Sequence, residues 1–126
     1  MKKILMSAAA VASLTMAAPA QAEHWDVIAF KLTGQCTFDQ YMDITRDFNV
    51  WGAQYGYHSK VAMPLQGDDL ETYFWVGSSA DAATFGGAWD AWRNSLGDPN
   101  STPAKLWARF VKCSTNIRRS GFDVYE

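Results

Sequence analysis

The chain has 126 residues, carries 6 Trp, 5 Tyr and 7 Phe, and sets 11 Lys and Arg against 13 Asp and Glu for a formal net charge of −2. That aromatic load excludes a disordered chain. A mildly acidic balance without a Lys/Arg cluster argues against a nucleic-acid partner, and the length fits one domain with a core of its own.

The first 22 residues read as an export signal. Lys2 and Lys3 give a basic start, Ile4 to Ala17 is an apolar run, and Ala20-Gln21-Ala22 is an A-x-A cleavage site. The run is short for a retained membrane helix, which is the competing reading. The expected mature domain is therefore 23–126, periplasmic or secreted from a bacterial cell. Loss of Lys2 and Lys3 would leave nine of the 11 cations against 13 acids, a net charge of −4.

Trp25 to Leu32 is rich in β-formers and predicts a first strand. Thr37-Phe38-Asp39-Gln40 is a capping box opening a helix. Its apolar face runs through Phe38, Tyr41, Thr45, Phe48, Trp51 and Tyr55, and Gly56 supplies the stop. Tyr57 to Leu65 alternates as a second strand that ends at Pro64, and Glu71 to Gly77 predicts a third, completing a hairpin. Ser78 to Asp81 offers helix caps ahead of a stripe of Phe85, Ala88 or Trp89, Trp92 and Leu96. Gly86-Gly87 inside that stripe predicts a close backbone approach or a kink. After a loop from Gly97, Thr102-Pro103 reads as a cap and first helical position. Leu106, Trp107, Phe110 and Val111 continue the apolar spacing to Cys113, and Thr115 to Val124 is a last strand. On it, Arg118 and Arg119 point to opposite faces.

The order β-α-β-β-α-β, with its second helical region split, is that of a ferredoxin-like α+β fold. It predicts a four-stranded antiparallel sheet in the order 4-1-3-2 with helices on one face. An exported chain with two cysteines predicts a disulfide. The topology brings Cys36 and Cys113 to one corner, within reach of that bond. Strand three carries large apolar groups on both faces, so the sheet face away from the helices predicts a cover, a second copy of the chain or a ligand.

Few residues carry chemistry by type. His58 or Asn49 would be the catalytic candidates, with Trp51 and Arg93 beside them only by residue type. His24, second in the mature chain, is either a frayed end or a weak Cu(II) ligand. Asp39, Asp43 and Asp47 at i, i+4, i+8 read as a solvated helix face rather than a cation site, so no metal is expected. Trp75, Tyr73, Trp51 and Trp89 are the candidate walls of an apolar ligand cleft.

The element order, together with Tyr73-Phe74-Trp75-Val76-Gly77-Ser78-Ser79 followed by Phe85 and Trp89, resembles the dimeric α/β-barrel superfamily. That group includes NIPSNAP-like, EthD-like and antibiotic-biosynthesis-monooxygenase-like domains. The resemblance spans Trp25 to Glu126. It implies a homodimer with facing sheets and a cleft between sheet and helices for small, often aromatic molecules, which some members oxidise without a cofactor. Haem-degrading members use an Asn, a Trp and a His. Trp75 stands for the Trp, but no His lies on the second helix and no Asn on the first strand, so no cofactor is expected. The resulting expectation is a ligand-binding exported domain, with a cofactor-independent monooxygenase or a protein-interaction module as alternatives.

Overall fold

The computed structural model describes Ala10, Ala12 and residues 22–126, so the expected export signal lies almost wholly outside the described residues. The chain forms β1 (Glu23–Leu32), α1 (Phe38–Gly52), β2 (His58–Ala62), β3 (Tyr73–Ser79), α2 (Ala82–Ser95), α3 (Thr102–Cys113) and β4 (Ser114–Val124). The strands pair antiparallel in the order β2-β3-β1-β4, the ferredoxin-like arrangement. The helices cover one face of the sheet.

Local chemistry explains each boundary. Thr37 Oγ1 accepts the Gln40 N–H while Gln40 Oε1 accepts the Thr37 N–H, so the capping box starts α1 as the sequence predicts. Gly56, at φ +67°, closes the short turn Ala53–Tyr55 in the left-handed conformation that favours glycine. Asp81 caps α2 through the Thr84 N–H. Ser101, not Thr102, caps α3, so Pro103 sits one position further in than expected.

Two strands are shorter than their alternation predicts. β2 stops at Ala62 rather than Leu65, and β3 starts at Tyr73 rather than Glu71. The Asp69 carboxylate takes the N–H groups of Glu71 and Thr72 and the Thr72 hydroxyl, which diverts that segment into a turn. Pro64 has no N–H to extend the ladder. Met63 and Leu65 are therefore exposed.

The core sits between sheet and helices. Phe30, Tyr41, Ile44, Phe48, Trp51, Trp75, Trp92, Leu106 and Phe110 are buried together, with Phe48 edge-on to Trp75 at 4.9 Å. Ala88 rather than Trp89 takes the buried place on α2, and on α3 Trp107 and Val111 turn outward. α2 is continuous through Gly86 and Gly87, and a Cβ at either would meet nothing within 4 Å. The expected close approach is absent, and nothing in the structure explains the pair. Cys36 and Cys113 form the disulfide at the predicted corner, Cα to Cα 5.0 Å, joining the start of α1 to the end of α3.

Candidate functional site

Alternation decides what faces the helices. On β1 the inward residues are His24, Asp26, Ile28 and Phe30, and on β3 they are Tyr73, Trp75, Gly77 and Ser79. β4 obeys the same rule until a bulge opposite Ala29 and Phe30 leaves Ile117 without a partner. That extra residue re-aims the strand, so Asn116 and Arg119, three apart, both face the helices together with Ser114.

Between these strands and α1, α2 and α3 lies a cavity of about 220 Å³. Its floor is Trp51, Trp75, Trp92, Phe48 and Phe110, and Trp89 and Trp107, both partly exposed, stand at its rim. Ser114, Asn116 and Arg119 form one polar wall, all from β4. Arg119 is the one charged side chain lining the cavity among the described residues.

Arg119, partly exposed, ends a polar chain that runs back into the interior. Trp75 Nε1 donates to Tyr57 Oη at 2.8 Å, and Tyr57 Oη donates to Asp26 Oδ2 at 3.0 Å. Asp26, 3% exposed, accepts Arg119 Nε at 2.7 Å and Nη2 at 2.6 Å. The guanidinium lies 4.1 Å from the centre of the Trp89 ring, a cation–π contact. Burial lifts the Tyr57 hydroxyl far above the ordinary tyrosine value, and the Asp26 charge adds to it, so Tyr57 stays a neutral phenol. Burial pulls the Arg119 guanidinium down, but its hydrogen bonds and charge pairing with Asp26 outweigh that, and it stays charged. Gly77 is what admits the Tyr57 ring: a Cβ there would overlap the tyrosine hydroxyl and Cζ.

The residues singled out from sequence divide. Trp51, Trp75 and Trp89 line the cavity. Tyr73 lies elsewhere, stacked between Phe30 and Phe38 at 5.5 and 5.4 Å. Neither His58 nor Asn49 reaches the cavity. His58 is exposed on the outer sheet face, in one row with Ser78, Trp25 and Phe122. Asn49 spends its amide on Ser59, donating to its carbonyl and accepting its N–H and hydroxyl at 2.8–2.9 Å, which pins α1 to β2. Arg93 pairs with Asp90 on the outside of α2. His24 is no frayed end: it lies in β1, stacked on Phe85 at 4.6 Å and bonded to Asp123 at 3.0 Å. Asp43 pairs with Arg46 and Asp47 with Arg109, and the described residues hold no cluster fit for a metal ion.

Asp26, Tyr57, Asn116 and Arg119 are the site residues that sequence reasoning missed. The one available signal was Asp26, an acid inside the apolar run Trp25 to Phe30.

Fold and cavity together define a ferredoxin-like α+β domain with an apolar cleft between sheet and helices. Its backbone is similar to that of SnoaB, a cofactor-independent oxygenase from Streptomyces nogalater, with TM-score 0.54 and 14% identity over 83% of this chain and 95% of that one. It is similar also to a hydroxynitrile lyase from Passiflora edulis, with TM-score 0.52 and 18% identity over 86% and 97% of the two chains. A dimeric ferredoxin-like protein of unknown function from Bacteroides fragilis aligns with TM-score 0.48 and 6% identity over 82% and 98%. No family model matches the chain, and no curated protein matches it in sequence.

Proposed function

We propose that this chain is an exported domain that binds a small, mainly apolar molecule in the cavity between sheet and helices. The cavity itself carries the reading. It opens to the surface past Trp89 and Trp107, and about 220 Å³ of space lies in it against Trp51, Trp75, Trp92 and Phe48. Apolar walls with a few convergent polar groups describe most small-molecule sites. The disulfide and the A-x-A sequence support the exported part. Native mass spectrometry of protein purified from periplasm tests both parts. A co-purifying small molecule on a chain beginning at Glu23 supports the reading. An empty protein that no planar apolar compound stabilises against heat refutes the binding part.

The outer sheet face supports a homodimer. Trp25 and Phe122 are 37% and 50% exposed there, and the partly exposed Val27, Phe74 and Val76 lie alongside. Light scattering checks it: a dimer that Phe122→Glu converts to monomer supports the pairing, and a monomeric wild type refutes it.

Catalysis is the second reading, favoured by the line Trp75–Tyr57–Asp26–Arg119, whose Trp75, Tyr57 and Arg119 edge the cavity. By likeness to SnoaB the reaction would be a cofactor-independent oxygenation. Oxygen uptake with a naphthol, unaffected by chelators and lost in Tyr57→Phe, supports it. No uptake removes it.

A further inference from the structure

We infer that the cavity selects ligands bearing one carboxylate on a flat apolar body, with the carboxylate docked on the end-on edge of Arg119 beside Asn116. The inference rests on the cavity being a ligand site and adds the ligand's chemical class.

A guanidinium offers two forked edges, each matching a carboxylate. Asp26 takes the side edge, Nε with Nη2. The end edge, Nη1 with the second N–H of Nη2, holds no partner among the described residues, while the side chain lines the cavity and is 38% exposed. Asp26 also fixes the plane of the guanidinium, and Trp89 stacks on its face at 4.1 Å. The free fork is thus held in place before any ligand arrives, which removes much of the ordering cost of binding. The β4 bulge adds the Asn116 amide to the same wall, likewise without a hydrogen bond among the described residues.

The charges favour a mono-anion over a cation. Among the described residues no carboxylate lines the cavity, since Asp26 sits behind Arg119 with both oxygens used. A cationic ligand would meet only the guanidinium. A neutral ligand offers the end fork only uncharged acceptors, whereas a carboxylate makes two charge-assisted hydrogen bonds to it.

Calorimetric titration with naphthalene-2-carboxylate and its uncharged analogue naphthalene-2-carboxamide at pH 7 and low salt tests this. The expected result is a carboxylate Kd at least tenfold lower, equal to about 1.4 kcal/mol, with the gap narrowing in salt. Arg119→Gln alone would strand Asp26, so the variant is the pair Asp26→Asn with Arg119→Gln. It should lose the preference, its carboxylate affinity falling severalfold more than its carboxamide affinity. If that pair fails to fold, Asn116→Leu decides: a preference reduced severalfold supports the assignment, and an unchanged one overturns it. Two probes that bind equally well overturn the carboxylate assignment and leave the cavity as a ligand site. Failure of both to bind overturns the ligand site and this inference with it.

Discussion

Gly77→Ala is a one-methyl change with a large expected cost. The Tyr57 ring occupies the space where a residue-77 Cβ would stand, overlapping it at Oη and Cζ and approaching it to 2.8 Å at Cε2. The ring has little room to yield, because Phe48 packs edge-on to it at 5.5 Å. Overpacking of this kind costs about 1–3 kcal/mol. Moving the hydroxyl also breaks its bonds to Trp75 and Asp26, at about 1 kcal/mol each. The expected loss is about 4 kcal/mol, read from urea unfolding followed by tryptophan fluorescence. Tyr57→Ala alone should cost about 3–5 kcal/mol as a buried aromatic truncation. It also empties the space that a methyl on residue 77 needs, so the double variant should be no less stable than Tyr57→Ala alone. Costs that simply add, within about 0.5 kcal/mol, would refute the claim that tyrosine and glycine share one space.

Three further outcomes follow from the same structure. Replacing Cys36 and Cys113 with Ser releases a loop of sequence separation 77, and the chain-entropy relation puts the loss at about 4.5 kcal/mol; a urea midpoint unchanged from that of the oxidised protein would contradict it. Burial holds Tyr41 and Tyr57 well above the ordinary value of 10.0. Their raised values stabilise the fold fully below pH 10 and progressively less above it, by about 1.4 kcal/mol per pH unit for each. Absorbance at 295 nm should therefore show these two ionising only with unfolding, and five tyrosines titrating together in the native state would refute it. The backbone N–H of Thr84, with its hydroxyl, holds the Asp81 carboxyl below its ordinary 3.8. The cap's contribution is then present above pH 4 and fades as pH falls through the lowered value, so the urea midpoints of wild type and Asp81→Ala should converge in acid and separate at pH 7.

The fold was legible where the signal is local or periodic. The Thr37–Gln40 box and the α1 stripe through Trp51 are each written within a few residues, and the structure returns them in place, although α1 ends at Gly52, Gly56 closes the short turn that follows it and Tyr55 is exposed. The cysteine corner was legible because element order alone carries both residues there. What strict alternation missed was competition from side chains. Asp69 pulls the start of the third strand into a turn, and Ile117 inserts one residue into the last. The aromatic walls were half legible, because spacing finds the face of a helix but not which tryptophan on it stays at the edge. Trp92 went inward and Trp89 to the rim, where Arg119 covers it.

The polar network behind the cavity was hidden for a different reason. Its members come from β1, the residue before β2, and β4, and Asp26 and Arg119 are 93 residues apart. No spacing rule reaches that far, yet physical chemistry narrows the search. An acid in the strand Trp25-Asp26-Val27-Ile28-Ala29-Phe30 must either face water or find a cation. The strand is central in the predicted order, so the position facing the helices is dry. Its partner must come from a neighbouring strand on the same face, and β4, which the order already places beside β1, supplies Arg118 and Arg119 as a pair. Alternation sends one of them to each face, and in the register that forms Arg119 is the one on the helix side, within reach of Asp26. The bulge decides which other residue joins them, and it selects Asn116. Deleting Ile117 should therefore leave a regular ladder, with Arg119 still on Asp26 and Asn116 still opposite Phe30 and facing the helices. NMR contacts placing Asn116 on the outer face in that deletion would break this account of how β4 builds the wall.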